Sequence, residues 1–167
     1  FIDPALRLST SNNLYPDRLY KGVVWTANPK LMYLGMQDQY YTFNIFDAQA
    51  FLARDIVLGR VAVPAREAMD ADIAGWRARY AEVDGVMEQI DFQTEYVRDL
   101  MTMTDYPPFD IDLVQRHFVD WEHDKDVSIT GYRDRSFASP CTGTVGPAPR
   151  TTWWDELDDS LARFLRG

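Results

Sequence analysis

Cysteine is nearly absent: Cys141 is the only one in 167 residues. A single thiol closes no intrachain disulfide and builds no cysteine metal site, and it is compatible with a reducing, cytoplasmic setting. Histidine is scarce too. His117 and His123 stand six apart in a helical stretch and face different ways, so they make no ligand pair. Positive charge is in deficit, with 17 Lys and Arg against 26 Asp and Glu, a net charge of −9. That balance argues against nucleic acid and against an anionic membrane surface as partners. No apolar run approaches the length that spans a bilayer. The sequence contains no G-x-S-x-G, no phosphate-binding P-loop and no G-x-G-x-x-G. It shows no internal repeat and no low-complexity tract. It opens Phe-Ile-Asp-Pro, without Met and without a signal-peptide pattern, and is expected to be cut from something longer.

What is present is enough for a packed core. The apolar fraction is 46%, ordinary for a folded domain or part of one. The organising stretch is Lys30 to Gly59. Leu31, Met32, Tyr33 and Leu34 read as a fully buried strand. Gly35 marks a turn or a close backbone approach. Thr42 stands where an N-cap belongs, with Tyr41 and Phe46 at the spacing of a hydrophobic staple. The helix that follows is apolar round most of its circumference, from Phe43 to Leu58, so burial is expected; Gly59 is its stop. A buried helix that opens on a polar turn, Gln37-Asp38-Gln39, directs free N–H groups at a partner. The partner is an anion or a developing negative charge, or else Thr42 and the glutamines simply cap the helix.

Around this stretch, residues 1–22 form an irregular strap, anchored through Leu6, Leu8, Leu14, Leu19 and Tyr20. Residues 22–26 are a short strand that turns at Ala27-Asn28-Pro29-Lys30 toward residues 31–34. Helices are expected over 65–83, with Met69, Ile73, Trp76 and Tyr80 on one side, and over 86–103, with Val86, Ile90, Val97 and Met101 near one stripe. Pro107-Pro108 separates the latter from a helix of about four turns starting at Asp110. Residues 128–150 are irregular, a length typical of a functional or wrapping loop. A final helix begins at Thr152. The pattern is a little β, one buried helix, then an α-rich tail.

Few of the remaining residues point to chemistry. Trp121 is either core or a platform for a flat ligand. Tyr132-Arg133-Asp134-Arg135 either brings guanidinium groups to a phosphate or forms an internal ion pair. The acidic runs 120–126 and 155–159 are solvated helix faces in the simplest reading. They also permit an alternative function, a non-enzymatic, acidic, α-rich interaction domain.

The run NLYPDRLYKGVVWTANPKLMYLGMQDQYYTFNIFDAQAFLARDIVLGR resembles the C-terminal part of bacterial flavin-containing monooxygenases, the trimethylamine monooxygenase group in particular. The resemblance continues through YVRDLMTMTDYPPFDID, DWEHDK, YRDRSFASPCTGT and WWDELDDSLARFL, and so covers essentially the whole chain. It implies an α/β flavoprotein with two dinucleotide-binding domains, of which residues 1–167 are the C-terminal segment of the FAD-binding domain. Residues 1–60 would hold the strands and the flavin-facing helix, and 61–167 the helical tail with the wrapping loop 128–150. Both glycine motifs for dinucleotides are missing from this chain. By carry-over, Gln37 and Thr42 would contact the FAD ring, Trp121 would line bound NADP, and Asp38 would lie near the nicotinamide and the substrate. The implied reaction uses FAD, NADPH and dioxygen to oxygenate the nitrogen or sulfur of a small amine or sulfide, through a C4a-hydroperoxyflavin, in a cytoplasmic homodimer. The remaining parts of the FAD and NADPH domains are implied partners.

Overall fold

Residues 3–8, 14–37, 40–147 and 165 are described by a computed structural model. Pro4–Leu6 forms a 3-10 turn capped by the Asp3 carboxylate, and the Tyr33 hydroxyl ties it down by donating to the Leu6 carbonyl. Two short antiparallel strands follow, β1 (Leu19–Tyr20) and β2 (Val24–Trp25), with Leu19 opposite Trp25 and Tyr20 opposite Val24. Lys21 and Gly22, between them, take left-handed φ angles of +52° and +65°. Lysine tolerates that conformation at a cost of about 1–2 kcal/mol. Its ammonium is held by Asp72 at 2.6 Å and Asp99 at 2.8 Å, which ties the turn to two later helices. Burial works against the Lys21 charge, but these two hydrogen bonds carry its pKa above the usual lysine value.

Leu31–Leu34 does return alongside β2: Trp25 N–H donates to the Leu31 carbonyl at 3.0 Å, and Tyr33 N–H to the Val23 carbonyl at 2.9 Å. The expected buried strand is reduced to a single bridge, Val24 to Met32, with Leu34 48% exposed. Among the described residues no further strand pairs with this edge.

Helix α1 (Thr42–Val57) is the centre of the molecule. Ile45, Ala48, Gln49, Leu52 and Asp55 form its buried face, at spacings of three and four. Its end is a Schellman motif: Gly59, at φ +69°, donates to the Ile56 carbonyl and Arg60 N–H to the Asp55 carbonyl. The expected burial of the whole circumference is not met. Phe43 is 83% exposed and Val57 76%, so one apolar flank lies open in this chain.

Helix α2 (Arg66–Tyr80) buries Met69, Ile73 and Trp76 against the β1 side of the core. Helix α3 (Val86–Met103) has the bounds the sequence predicts but a broader buried surface: Ile90, Phe92, Gln93, Thr94, Tyr96, Val97 and Leu100. The breadth follows from position, since α3 packs on α1 and also on α4 (Ile111–Val127). Val86, expected on that stripe, is exposed. The Asp110 carboxylate caps α4 by accepting the Leu113 N–H at 2.8 Å.

The loop from Ser128 folds back along α4. Arg135 reaches Asp120 at 2.9 Å and Asp124 at 2.8 Å, which settles the arginine run as an internal ion pair at that residue. Tyr132 packs on Trp121, and the Pro140 carbonyl accepts the Asp110 N–H at 3.0 Å. The expected helix from Thr152 falls outside the described residues. Among the described residues no helix is long and apolar enough to cross a membrane, and no His, Cys, Asp and Glu group could hold a metal.

Asp55 gives a pH test of the α1 terminus. The Arg54 guanidinium, at 2.8 Å, holds its carboxyl below the usual carboxylate range, with Arg60 assisting. A depressed folded-state pKa stabilises the fold above the unfolded-chain value, and the effect is lost as pH falls through the folded value. Asp55→Asn should therefore melt lower at neutral pH and show a flatter decline than the parent below about pH 4. Parallel melting curves across that range would contradict the assignment.

Candidate functional site

The start of α1 lacks a side-chain cap among the described residues. Its N-cap is Tyr41, not Thr42, and Tyr41 makes no side-chain cap hydrogen bond. Thr42 is the first helical residue and is exposed. The cap position passes to Tyr41 because tertiary contacts hold it there. Its ring lies 4.8 Å from that of Phe118, and its hydroxyl meets Thr94 Oγ1 at 2.6 Å. Thr94 already donates to the Ile90 carbonyl, so Tyr41 is the donor in that pair. Burial pushes the Tyr41 hydroxyl up to about 12, keeping it protonated. The expected staple of Tyr41 with Phe46 gives way as well. Phe46 instead covers Gly35, where a Cβ would come within 2.3 Å of its ring.

No acidic residue stands in the first turn of α1. The N-terminal amides thus meet neither a cap from Tyr41 nor a carboxylate from their own turn, so partial positive charge gathers there, beside the exposed Thr42 and Phe43. An electron-rich, flat group fits this arrangement.

Two open grooves flank the helix start. One, of about 560 Å³, is lined by Tyr40, His117, Phe118, Trp121 and Phe137. The other, of about 530 Å³, is lined by Leu34, Phe43, Asn44, Phe46, Asp47, Ala50 and Tyr106. Trp121 is half-buried in the first, its ring 5.2 Å from Tyr132 and 5.0 Å from the Lys125 ammonium. It packs on the fold and also lines the groove. His117 is fixed there by Phe137 and by a 2.9 Å hydrogen bond with the Ala138 carbonyl.

Gln37 is 5% exposed, and its side chain turns inward. Its Nε2 donates to the Tyr96 hydroxyl at 3.0 Å, and its Oε1 accepts from Gln49 Nε2 at 2.9 Å. Asp38 falls outside the described residues. The site therefore brings Gln37, Thr42 and the Trp121 groove to one end of α1, with Tyr40 joining the groove to the helix start. Sequence reasoning missed Gln49, Gln93 and Tyr96. The signal for Gln49 was available: it lies four residues after Ile45 and three before Leu52, on the buried face.

This is a helical segment presenting a helix start between aromatic grooves, and its fold is that of a known oxygenase. The crystal structure of Tmm from Pelagibacter sp. strain HTCC7211 superposes with a TM-score of 0.89 at 47% identity, over 98% of this chain and 37% of that one. In sequence, the chain is 54% identical over 164 residues to the trimethylamine monooxygenase of Methylocella silvestris, covering 98% of this chain and 36% of the relative. It is 45% identical over 167 residues to that of Roseovarius nubinhibens, covering 37% of that protein. No family model matches the chain. The chain belongs to the trimethylamine monooxygenase family as a C-terminal segment. It spans just over a third of the length of the relatives it matches.

Because Thr42 does not cap α1, Thr42→Ala should change stability by no more than about 0.5 kcal/mol in thermal or urea melts. A loss of about 1 kcal/mol would restore it as the cap.

Proposed function

We propose that the chain works as the C-terminal segment of an FAD-binding domain in an FAD- and NADPH-dependent monooxygenase. Its substrates are small soft nucleophiles such as trimethylamine, oxygenated at nitrogen or sulfur. The observation that carries this reading is identity of 42–54% along nearly the whole chain to proteins named trimethylamine monooxygenase. The overall change is an amine, dioxygen, NADPH and a proton going to the amine oxide, water and NADP. When bound, FAD supplies the dioxygen chemistry and NADPH the reducing equivalents.

The chain's own residues bind and orient. The uncapped amides at the start of α1 stabilise negative charge on the pyrimidine edge of the flavin, and the Thr42 hydroxyl borders the same edge. Gln37 meets the ring through the turn that its inward-pointing side chain holds. Trp121, with the aromatic groove around it, lines NADP and excludes water. Asp38 stands near the nicotinamide and the substrate. The open flank of α1, with Phe43, Leu34 and Val57, is the surface on which the remaining part of the FAD domain packs. Residues 1–60 form the flavin-facing half and 61–167 the tail. A homodimer with loop 128–150 wrapping its neighbour, in the cytoplasm, completes the reading.

The test uses the intact protein, expressed from the complete reading frame that contains this chain. It should purify yellow with flavin absorbance, oxidise NADPH and convert trimethylamine to its N-oxide. A colourless protein without N-oxide formation would overturn the reading. Asp38→Ala should keep the flavin and lose NADPH-dependent turnover; unchanged steady-state kinetics would remove Asp38 from the site.

A further inference from the structure

Behind the turn that leads into α1 lies a closed set of neutral hydrogen bonds. Tyr96, on α3 and 1% exposed, is at its centre. Its hydroxyl accepts from Gln37 Nε2 at 3.0 Å and from Gln49 Nε2 at 2.7 Å, and donates to the Lys21 carbonyl at 2.8 Å. Gln49, fully buried on α1, also donates to Gln37 Oε1 at 2.9 Å and accepts the Gly35 N–H on its own Oε1 at 2.7 Å. Both ends of the Gln49 amide are thus committed to the turn. Three residues before Tyr96 on the same helix, Gln93 accepts the Tyr40 N–H at 2.6 Å. Gly35, Gln37 and Tyr40 are therefore each pinned.

The space around these pins is closed. A Cβ on Gly22 would come within 2.1 Å of Gln37 Nε2 and 2.5 Å of the Tyr96 oxygen, and Gly22 sits at φ +65°. Gly35, at φ +71°, is pressed from the other side by Phe46. A shift of Gly35 or Gln37 toward either neighbour would break hydrogen bonds to the buried Gln49 and Tyr96 side chains. The backbone N–H groups of Gly35 and Tyr40 need acceptors here, and Gln49 and Gln93 supply them. Three buried amide and hydroxyl side chains from two helices thus converge on Gly35, Gln37 and Tyr40.

We infer that Tyr96, Gln49 and Gln93 are positioning residues for the monooxygenase reaction. They set where the turn residues Gly35 and Tyr40 and the first amides of α1 stand relative to the flavin ring. This inference rests on the function proposed above. Displacements of about 1 Å in a positioned group can cost about 10²-fold in rate, so the effect should be large although none of the three touches the ring.

The test compares the intact holoenzyme with Gln49→Met, Tyr96→Phe and Gln93→Met. Each variant keeps most of the side-chain volume and removes hydrogen bonds. Melting temperature, flavin absorbance, reduction potential, kcat and KM for NADPH are measured for each. The expected result is a fall in kcat of about 10- to 100-fold with flavin retained. A displaced flavin absorbance band and a more negative potential should accompany it. Lowered melting temperatures with kcat, spectrum and potential at parental values would overturn the inference and leave the network purely structural. Should Gln49→Met or Tyr96→Phe fail to fold, Gln93→Met decides by the same readouts, because it leaves the Tyr96 cluster intact. A parent protein without flavin would overturn the proposed function itself, a separate outcome from either of these.

Discussion

The first turn of α1 carries backbone N–H groups that no side-chain cap meets among the described residues. Tyr41 provides no side-chain cap, and no carboxylate stands in the first turn. Such a terminus holds partial positive charge, which a negative or electron-rich partner offsets. The rest of the fold fixes that terminus in place. The α1 helix packs on α3, α3 packs on α4, and the aromatic pair Tyr41 and Phe118 locks the helix start to α4. The ion cluster of Lys21 with Asp72 and Asp99 ties the β1–β2 turn to α2 and α3. Contacts from α3 and α4 thus hold the start of α1 steady. That is the arrangement electrostatic stabilisation requires, because a dipole that must reorient offers little.

Much of this was legible in the sequence where local chemistry decides. The bounds of α3, the Asp110 cap, the Gly59 stop and the Met69, Ile73, Trp76 stripe all follow from residues within one or two turns of each other. What failed depended on distant partners. Thr42 has the better capping side chain, yet Tyr41 takes the position because Phe118 and Thr94 hold its ring and hydroxyl. The Leu31–Leu34 run has strand composition, but among the described residues only β2 is there to bond it. The network on Tyr96 joins residues 47, 59 and 75 positions apart in the chain, beyond what spacing alone can display. Of the site, Gln37 and Thr42 were found as neighbours of a helix start. The inward turn of the Gln37 side chain was not, because the residue that receives it lies on another helix.

The α1 helix is apolar round most of its circumference but covered on one face. Phe43, Val57 and Leu58 are among the most exposed large apolar side chains of the described residues. Exposed apolar residues at both ends of a central helix offer a surface suited to an interface. The chain covers just over a third of the relatives it resembles, and in the proposed enzyme the remainder of the FAD domain supplies the missing cover. The sequence encodes burial that the segment by itself does not complete.

Hydrogen exchange at the backbone amides of residues 41–44, in the intact protein with and without FAD, tests the central claim most directly. An electron-rich ring lying against the start of α1 should slow exchange at those amides when FAD is bound, with little change in the rest of the helix. Equal exchange rates at residues 41–44 in FAD-loaded and FAD-free protein would contradict the account.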